Sequence, residues 1–263
     1  MTGQGFDPLA PGAMDAAVLL GVRVAALVLI APIYSAVVVP KMLRAGLIVL
    51  LTVVLLPLAA PSVGTAALTP ASFASESLVG FAMGLGAALL IAGAETAGDV
   101  LAVQTGVSGA ATLDPTTQTS TPSLAEFFRL VVLTLLLVSG GHLLSIEALV
   151  RSVKVIPLGA PVDARAGLGA MASMGGSLFV LGLRFAAPVI AAVLVSNLAL
   201  GILSRTVPQL NALAVAYPVQ IAVGLVALMA SIPLVGAFVA GWPLHYADTV
   251  DHLLAALTGR GGR

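Results

Sequence analysis

No cysteine occurs among the 263 residues, so the chain can form no disulfide, hold no thiolate metal site and use no cysteine nucleophile. Charge is nearly as scarce. Asp, Glu, Lys and Arg make up 8% of the chain, against about 25% in an average soluble domain. Eleven acidic and eleven basic residues cancel, which leaves no basic field to attract nucleic acid. Aromatics reach only 5%, with one Trp and three Tyr, so the interfacial belts of ordinary membrane spans are almost missing. The start does not read as a signal peptide. Met1 to Met14 has no positive stretch and its only charge is Asp7, so the first apolar segment is expected to be kept.

What is present is apolar. Hydrophobic residues are 59% of the chain and the mean hydropathy is +1.13. A soluble globule of this size needs far more polar residues to cover itself. That excludes a disordered chain, a coiled coil and an ordinary cytosolic enzyme. The 28 Gly and 16 Pro lie largely within apolar stretches. Small residues let helix backbones approach closely, so protein as much as lipid is expected to cover this chain.

Six apolar stretches stand out: about Ala16–Tyr34, Ala45–Ala60, Leu78–Ala94, Leu130–Leu149, Ser177–Leu203 and Ala214–Ala240. Their lengths and the lack of period-2 alternation predict helices rather than a barrel. The fold class is therefore an all-α membrane protein of about six apolar helices, in a single helical domain over 1–263. The second and third are short for a span, and the fifth and sixth look tilted or kinked. Pro57 and Pro61 close the second, Thr69 and Pro70 open the third as cap and first residue, and Pro208 stops the fifth. Ser123 with Glu126 reads as a capping box before the fourth. Pro32, Pro188, Pro218 and Pro233 are expected to kink or end helices.

Two connections are long. Residues 105–123 are small, Gly/Ser/Thr-rich and nearly uncharged, which fits an external loop or one packed inside an assembly. Val155 to Gly176 is Gly/Met-rich and carries Asp163 and Arg165. Residues 245–257 place Tyr246, Val250, Leu253, Leu254 and Leu257 on one face of an amphipathic helix, at an interface or against a neighbour. Lysine and arginine are spread so evenly that the positive-inside rule only weakly places both termini in the cytoplasm.

Arg23, Arg184, His142 and Glu147 fall inside apolar stretches. A charge at mid-bilayer costs at least about 2.5–3.5 kcal/mol, so each needs a partner or water. A proton relay usually shows several acids, and these stretches offer only Glu147. Subunit or helix glue is the favoured reading. Asp15 lies two helical turns before Arg23, so the acid that pairs with Arg23 must come from elsewhere. No nucleotide-binding or zinc-protease motif appears. Gly80 and Gly84 form a GxxxG pair, read as helix packing. Gly106–Val107–Ser108–Gly109 matches the GxSG of rhomboid-type intramembrane proteases, with His142 a conceivable base. It opens a polar loop rather than a buried helix, which disfavours catalysis. On the residues alone, a small-solute permease stays open.

Three stretches together resemble the FliR family, the flagellar biosynthetic proteins of type III export, and its injectisome counterparts. The first holds Arg23, Ala31–Pro32–Ile33–Tyr34–Ser35, Val39–Pro40, Lys41 and Arg44. The second holds Glu76 with Gly80 and Gly84, Ala97–Gly98, Gln104–Thr105–Gly106, Asp114–Pro115, Gly141–His142, and Ser152 with Pro157. The third holds Asn197, Gly201, Arg205–Thr206–Val207–Pro208–Gln209–Leu210–Asn211 and Pro218. The chain departs from the family in its low aromatic content, with Leu, Val and Ala at some Phe positions.

The resemblance implies a non-enzymatic subunit without cofactors, in a hetero-oligomeric export gate at the flagellar basal body of the bacterial inner membrane. It implies FliP-like and FliQ-like partners, a FlhB-like switch protein, surrounding lipid, and unfolded proteins as cargo. Its helices would form tilted hairpins. The family's plug loop would correspond to Gly106 to Pro122 here, with Gly106, Ser108, Gly109, Asp114, Pro115 and Gln118. Arg23, Pro32, Pro40, Glu76, Gly80, His142, Arg205, Pro208, Gln209 and Asn211 would serve structure and assembly.

Overall fold

The computed structural model describes residues 11–36, 38–62, 67–104, 124–206 and 212–259. In chain order the helices are α1 (Ala13–Ile30), α2 (Pro32–Ser35), α3 (Lys41–Leu55), a 3-10 turn (Leu56–Ser62), α4 (Pro70–Gln104), α5 (Leu124–Val138), α6 (Gly141–Val155), α7 (Ala164–Thr206) and α8 (Ala212–Leu257). Among the described residues there is no strand. Among the described residues four helices are long and apolar enough to cross a membrane, and a fifth span arises if α5 and α6 count as one bent pair. The chain is an all-α membrane protein.

Local chemistry sets the helix starts. Thr69 Oγ1 accepts a hydrogen bond from the Ser72 N–H at 3.1 Å, which caps α4. Pro70 follows as the first helical residue, where an N–H would go unused. Asp163 Oδ1 accepts from the Ala166 N–H at 2.9 Å and so caps α7. α3 runs to Leu55 and passes into the 3-10 turn that holds Pro57 and Pro61.

Four expectations are corrected. Leu130–Leu149 is not one helix: α5 and α6 meet at a 66° bend. Gly140, at the break, has φ +79°, a left-handed conformation that side chains resist. Gly141 follows it against Leu136, where a Cβ would lie 2.7 Å from Leu136 Cγ. Second, much of Val155 to Gly176 is helical, since α7 starts at the Asp163 cap and runs 43 residues. Third, the short third stretch is the middle of a 35-residue helix, α4. Fourth, Pro188, Pro218 and Pro233 end no helix, because α7 and α8 run through them. A membrane helix tolerates proline when its neighbours satisfy the freed carbonyl.

The described residues pack as two compact units. Unit 1 draws on Met1–Leu89, Leu136–Gly175 and Trp242–Arg263, and unit 2 on Leu90–Leu135 and Gly176–Gly241. Unit 1 has the larger core. α1 buries Ala16, Leu19, Leu20, Val24, Leu27 and Val28, a three-and-four spacing that makes one face. α4 brings Gly80 and Gly84 up to the α1 backbone and buries Val79, Met83 and Ala87, and α6 buries Leu149 and Val153. The end of α8 buries Tyr246, Val250, Leu253, Leu254 and Leu257, each at 3% exposure or less. The Asp163 N–H donates to the Leu257 carbonyl at 2.9 Å, tying that end to the start of α7. Unit 2 has a small core of Ala97, Phe128, Val189 and Val193, with Val100, Ile190 and Ala227 packed against it.

Candidate functional site

The most built cluster surrounds Arg23. Its side chain is fully buried, and so is that of Glu76 at 1% exposure. Arg23 Nε donates to Glu76 Oε2 at 2.5 Å. One terminal nitrogen donates to Ser152 Oγ at 3.2 Å and to the Ile156 carbonyl at 3.2 Å, and the other donates to the same carbonyl at 3.1 Å. The second carboxylate oxygen of Glu76 accepts the Gly159 N–H at 2.8 Å. Gly159 has φ +74°, which turns the chain after α6 so that its N–H reaches the acid. Two buried charges are thus paired and hydrogen-bonded, the condition under which burial is tolerable. The network joins α1, α4, α6 and the connection after α6. It has no surface on which a substrate could act.

Helix packing brings the pair together. A Cβ on Gly80 would strike the Arg23 carbonyl oxygen and lie 2.7 Å from Ala26 Cβ. One on Gly84 would lie 2.9 Å from Ile30 Cβ and 3.1 Å from the Leu27 carbonyl. The GxxxG pair therefore lets α4 press onto the backbone of α1 at the level of the arginine. The glue reading of Arg23 takes its intramolecular form here, with the acid on a neighbouring helix of the same chain.

A second polar cluster marks the α5–α6 break. Pro32 opens α2, whose Tyr34 hydroxyl donates to the His142 carbonyl at 2.8 Å. His142 Nδ1 is buried and finds no hydrogen-bond partner among the described residues. Tyr246 donates to the Met83 carbonyl at 3.0 Å, stacks on Trp242 with ring centroids 4.7 Å apart, and seats its ring on Gly86. Tyr34 lies in the four-residue α2 and Tyr246 lies past the apolar stretch 214–240 of α8, so neither is in a candidate span. Burial raises both phenol pKa values above the ordinary tyrosine value of 10.0. Pro40 precedes α3, and Arg44 one turn on donates to the Ala36 carbonyl at 2.8 Å.

In unit 2 the charges stay wet. Arg129 of α5 donates to both oxygens of Glu126 at 2.8 and 2.6 Å, and lies 3.5 Å from Glu95 of α4. Their side chains are 25%, 42% and 39% exposed. Glu147, in unit 1, and Arg184 are exposed too, although both fall in apolar stretches. The Gln220 amide of α8 donates to Asn197 Oδ1 of α7. Arg205 sits exposed in the last turn of α7.

Gly106, Ser108, Gly109, Asp114, Pro115, Gln118, Pro208, Gln209 and Asn211 lie outside the described residues, as does Ser123 of the expected capping box. The structure brings Arg23, Glu76 and Gly80 into one site and places His142 and Pro32 in the second. Sequence reasoning missed the Glu76–Arg23 pairing, Gly159 and Gln220. The signal for Glu76 was present in the need of a mid-helix arginine for an acid, but nothing in the spacing named which one.

Residues 14–242 match the family described as bacterial export proteins, family 1. The flagellar biosynthetic protein FliR of Escherichia coli (strain K12) is 34% identical over 223 residues, covering 82% of this chain and 84% of the relative. That of Caulobacter vibrioides is 31% identical over 241 residues, covering 89% and 94%. The surface presentation of antigens protein SpaR of Shigella sonnei is 30% identical over 125 residues, 47% of either chain.

Proposed function

Since this chain belongs to family 1 of the bacterial export proteins, the FliR family, and is a component of type III export, we propose that it is a non-enzymatic subunit of the flagellar export gate. In this reading it sits in the bacterial inner membrane at the basal body. It assembles with FliP-like and FliQ-like subunits, beside a FlhB-like switch protein, into the channel through which unfolded flagellar proteins leave. The observation that carries it is the family match over residues 14–242, which runs through both compact units. The exposure of the chain's apolar helices supports it: only 22% of the Lys41–Ala59 window and 11% of the Ala187–Thr206 window are buried.

Residues 105–123 take the plug role in this reading. Small uncharged side chains fit narrowly and yield to a passing chain without fixed bonds. Deleting Ser108–Thr119 then leaves assembly intact while ions leak. Unchanged ion permeability in that strain removes the plug assignment. Arg205, with Pro208, Gln209 and Asn211, serves assembly in this reading.

The reading as a whole is tested by the native mass of the tagged protein, gently extracted from its own membranes. A large hetero-complex holding FliP-like and FliQ-like chains is expected. A folded monomer or homodimer overturns the gate and favours a permease.

A further inference from the structure

The described part of α7 from Ala187 to Thr206 is a 20-residue apolar window. At 1.5 Å per residue it is about 30 Å long, the thickness of the hydrocarbon layer. Asn197 stands at its centre, about 15 Å from either end. It is exposed, and its carboxamide is bonded to that of Gln220 on α8. That one bond leaves most of the capacity of two amides unused, whichever way either amide is turned. Among the described residues neither amide makes another hydrogen bond. Hydrocarbon has nothing to offer these groups at mid-depth.

Their surroundings are not those of a water-filled wall. Leu194, Val195, Leu198 and Ile202 are 60–67% exposed on the same stretch. Gly201, one turn on and on the same face as Asn197, has nothing within 4 Å of where a Cβ would sit. A neighbouring backbone can therefore come close there. One amide anchor in an otherwise apolar, partly small-residue helix surface has the chemistry of a helix–helix interface. There a single polar contact sets register.

We infer that the Asn197–Gln220 pair is the polar anchor of a docking face for a transmembrane helix of another chain of the export apparatus. That helix is apolar along the contact and carries one hydrogen-bonding side chain such as Ser, Thr, Asn or Gln. The inference rests on the proposed gate role and adds the surface through which a neighbour binds.

The test compares tagged wild-type protein, the N197L/Q220L double variant and Q220N, each extracted as its native complex. Neighbouring chains are quantified beside the membrane level of the tagged chain. The double variant should recover about tenfold less of one neighbouring chain at an unchanged membrane level, as loss of two interhelical hydrogen bonds predicts. Q220N, which keeps an amide, should recover it normally. Full recovery with the double variant overturns the inference while leaving the gate reading intact. Equal loss in both variants traces the effect to packing and also overturns it. A wild-type chain with no neighbours overturns both readings.

Because the chain has no cysteine, Leu194→Cys, at an exposed position one turn before Asn197 that leaves both amides in place, gives a second measurement that does not depend on the double variant folding. In the intact complex this thiol should resist both membrane-impermeant and membrane-soluble maleimides. Labelling by the impermeant reagent would make the face an aqueous wall. Labelling by the soluble one alone would make it a lipid surface. Cross-linking to itself would make the neighbour a second copy. Each of these three outcomes overturns the inference.

Discussion

The two compact units handle charge in opposite ways. Unit 1 takes Arg23 and Glu76 completely out of solvent and satisfies them with a hydroxyl, a carbonyl and an N–H. Unit 2 keeps Arg129, Glu95 and Glu126 between 25% and 42% exposed, around a described core of Ala97, Phe128, Val189 and Val193. The difference shows where each unit's order comes from. A buried ion pair is weak as a net source of stability, but removal of one partner is severe. An exposed pair is weak in both senses. Unit 1 therefore depends on a few named groups inside the chain. Unit 2 presents apolar helix surface that its own side chains do not cover, with 11% of the Ala187–Thr206 window buried against 44% of Ala13–Ile30.

The sharpest way to break this comparison is Glu76→Ala set beside Arg129→Ala. The first strands a guanidinium with no solvent access and orphans the Gly159 N–H. It should cost about 3–5 kcal/mol and strip the chain from the membrane fraction, read by immunoblot. Arg129→Ala should leave that level unchanged. Equal levels for both variants would mean that the unit 1 pair is not truly dry.

Next come the glycines. Gly80→Ala drives a methyl into the α1 backbone, an overpacking that should cost about 1–3 kcal/mol. Gly201→Ala meets nothing within 4 Å in its own chain and should change stability by no more than about 0.5 kcal/mol. Thermal unfolding of the detergent-purified chains orders the two, and a reversed order would remove the close α1–α4 approach.

Tyr246→Phe is smaller, about 1 kcal/mol for the lost bond to the Met83 carbonyl. It also carries a pH signature. Burial raises the folded-state pKa above the unfolded value near 10.0, so the proton is held more tightly in the folded chain. Stability from this group is complete below about pH 10 and is lost as pH rises beyond it. Wild-type protein should lose more melting temperature above that pH than the Phe variant. Parallel curves would show a phenol in contact with water. Smallest is Arg151→Ala. This removes an exposed ion pair with Asp251 at 2.7 Å, and its melting temperature should match wild type within error.

Much of this was legible in the chain itself. Scarce charge and long apolar runs determine an all-α membrane protein, because only helices satisfy their own backbone in lipid. The alternation of Tyr246, Val250, Leu253, Leu254 and Leu257 names the buried face of the last helix, since three-and-four spacing is a local property. Thr69 before Pro70 names the start of α4 for the same reason. The motifs around Arg23, Gly80 and Arg205 were enough to carry the family resemblance.

Other features only the tertiary structure decided. Which acid meets Arg23 depends on how α4 lies on α1, and Glu76 is 53 positions away in sequence. The 66° break at Gly140 hides inside an apolar run, because hydropathy does not register a left-handed glycine. The helices α4, α7 and α8 also run on through glycines and prolines that read locally as punctuation. The amino-acid sequence determined the solvent and the local faces, because both sum over adjacent residues. The pairing of distant charges was left to packing, where the low dielectric makes each misplaced group too costly to keep.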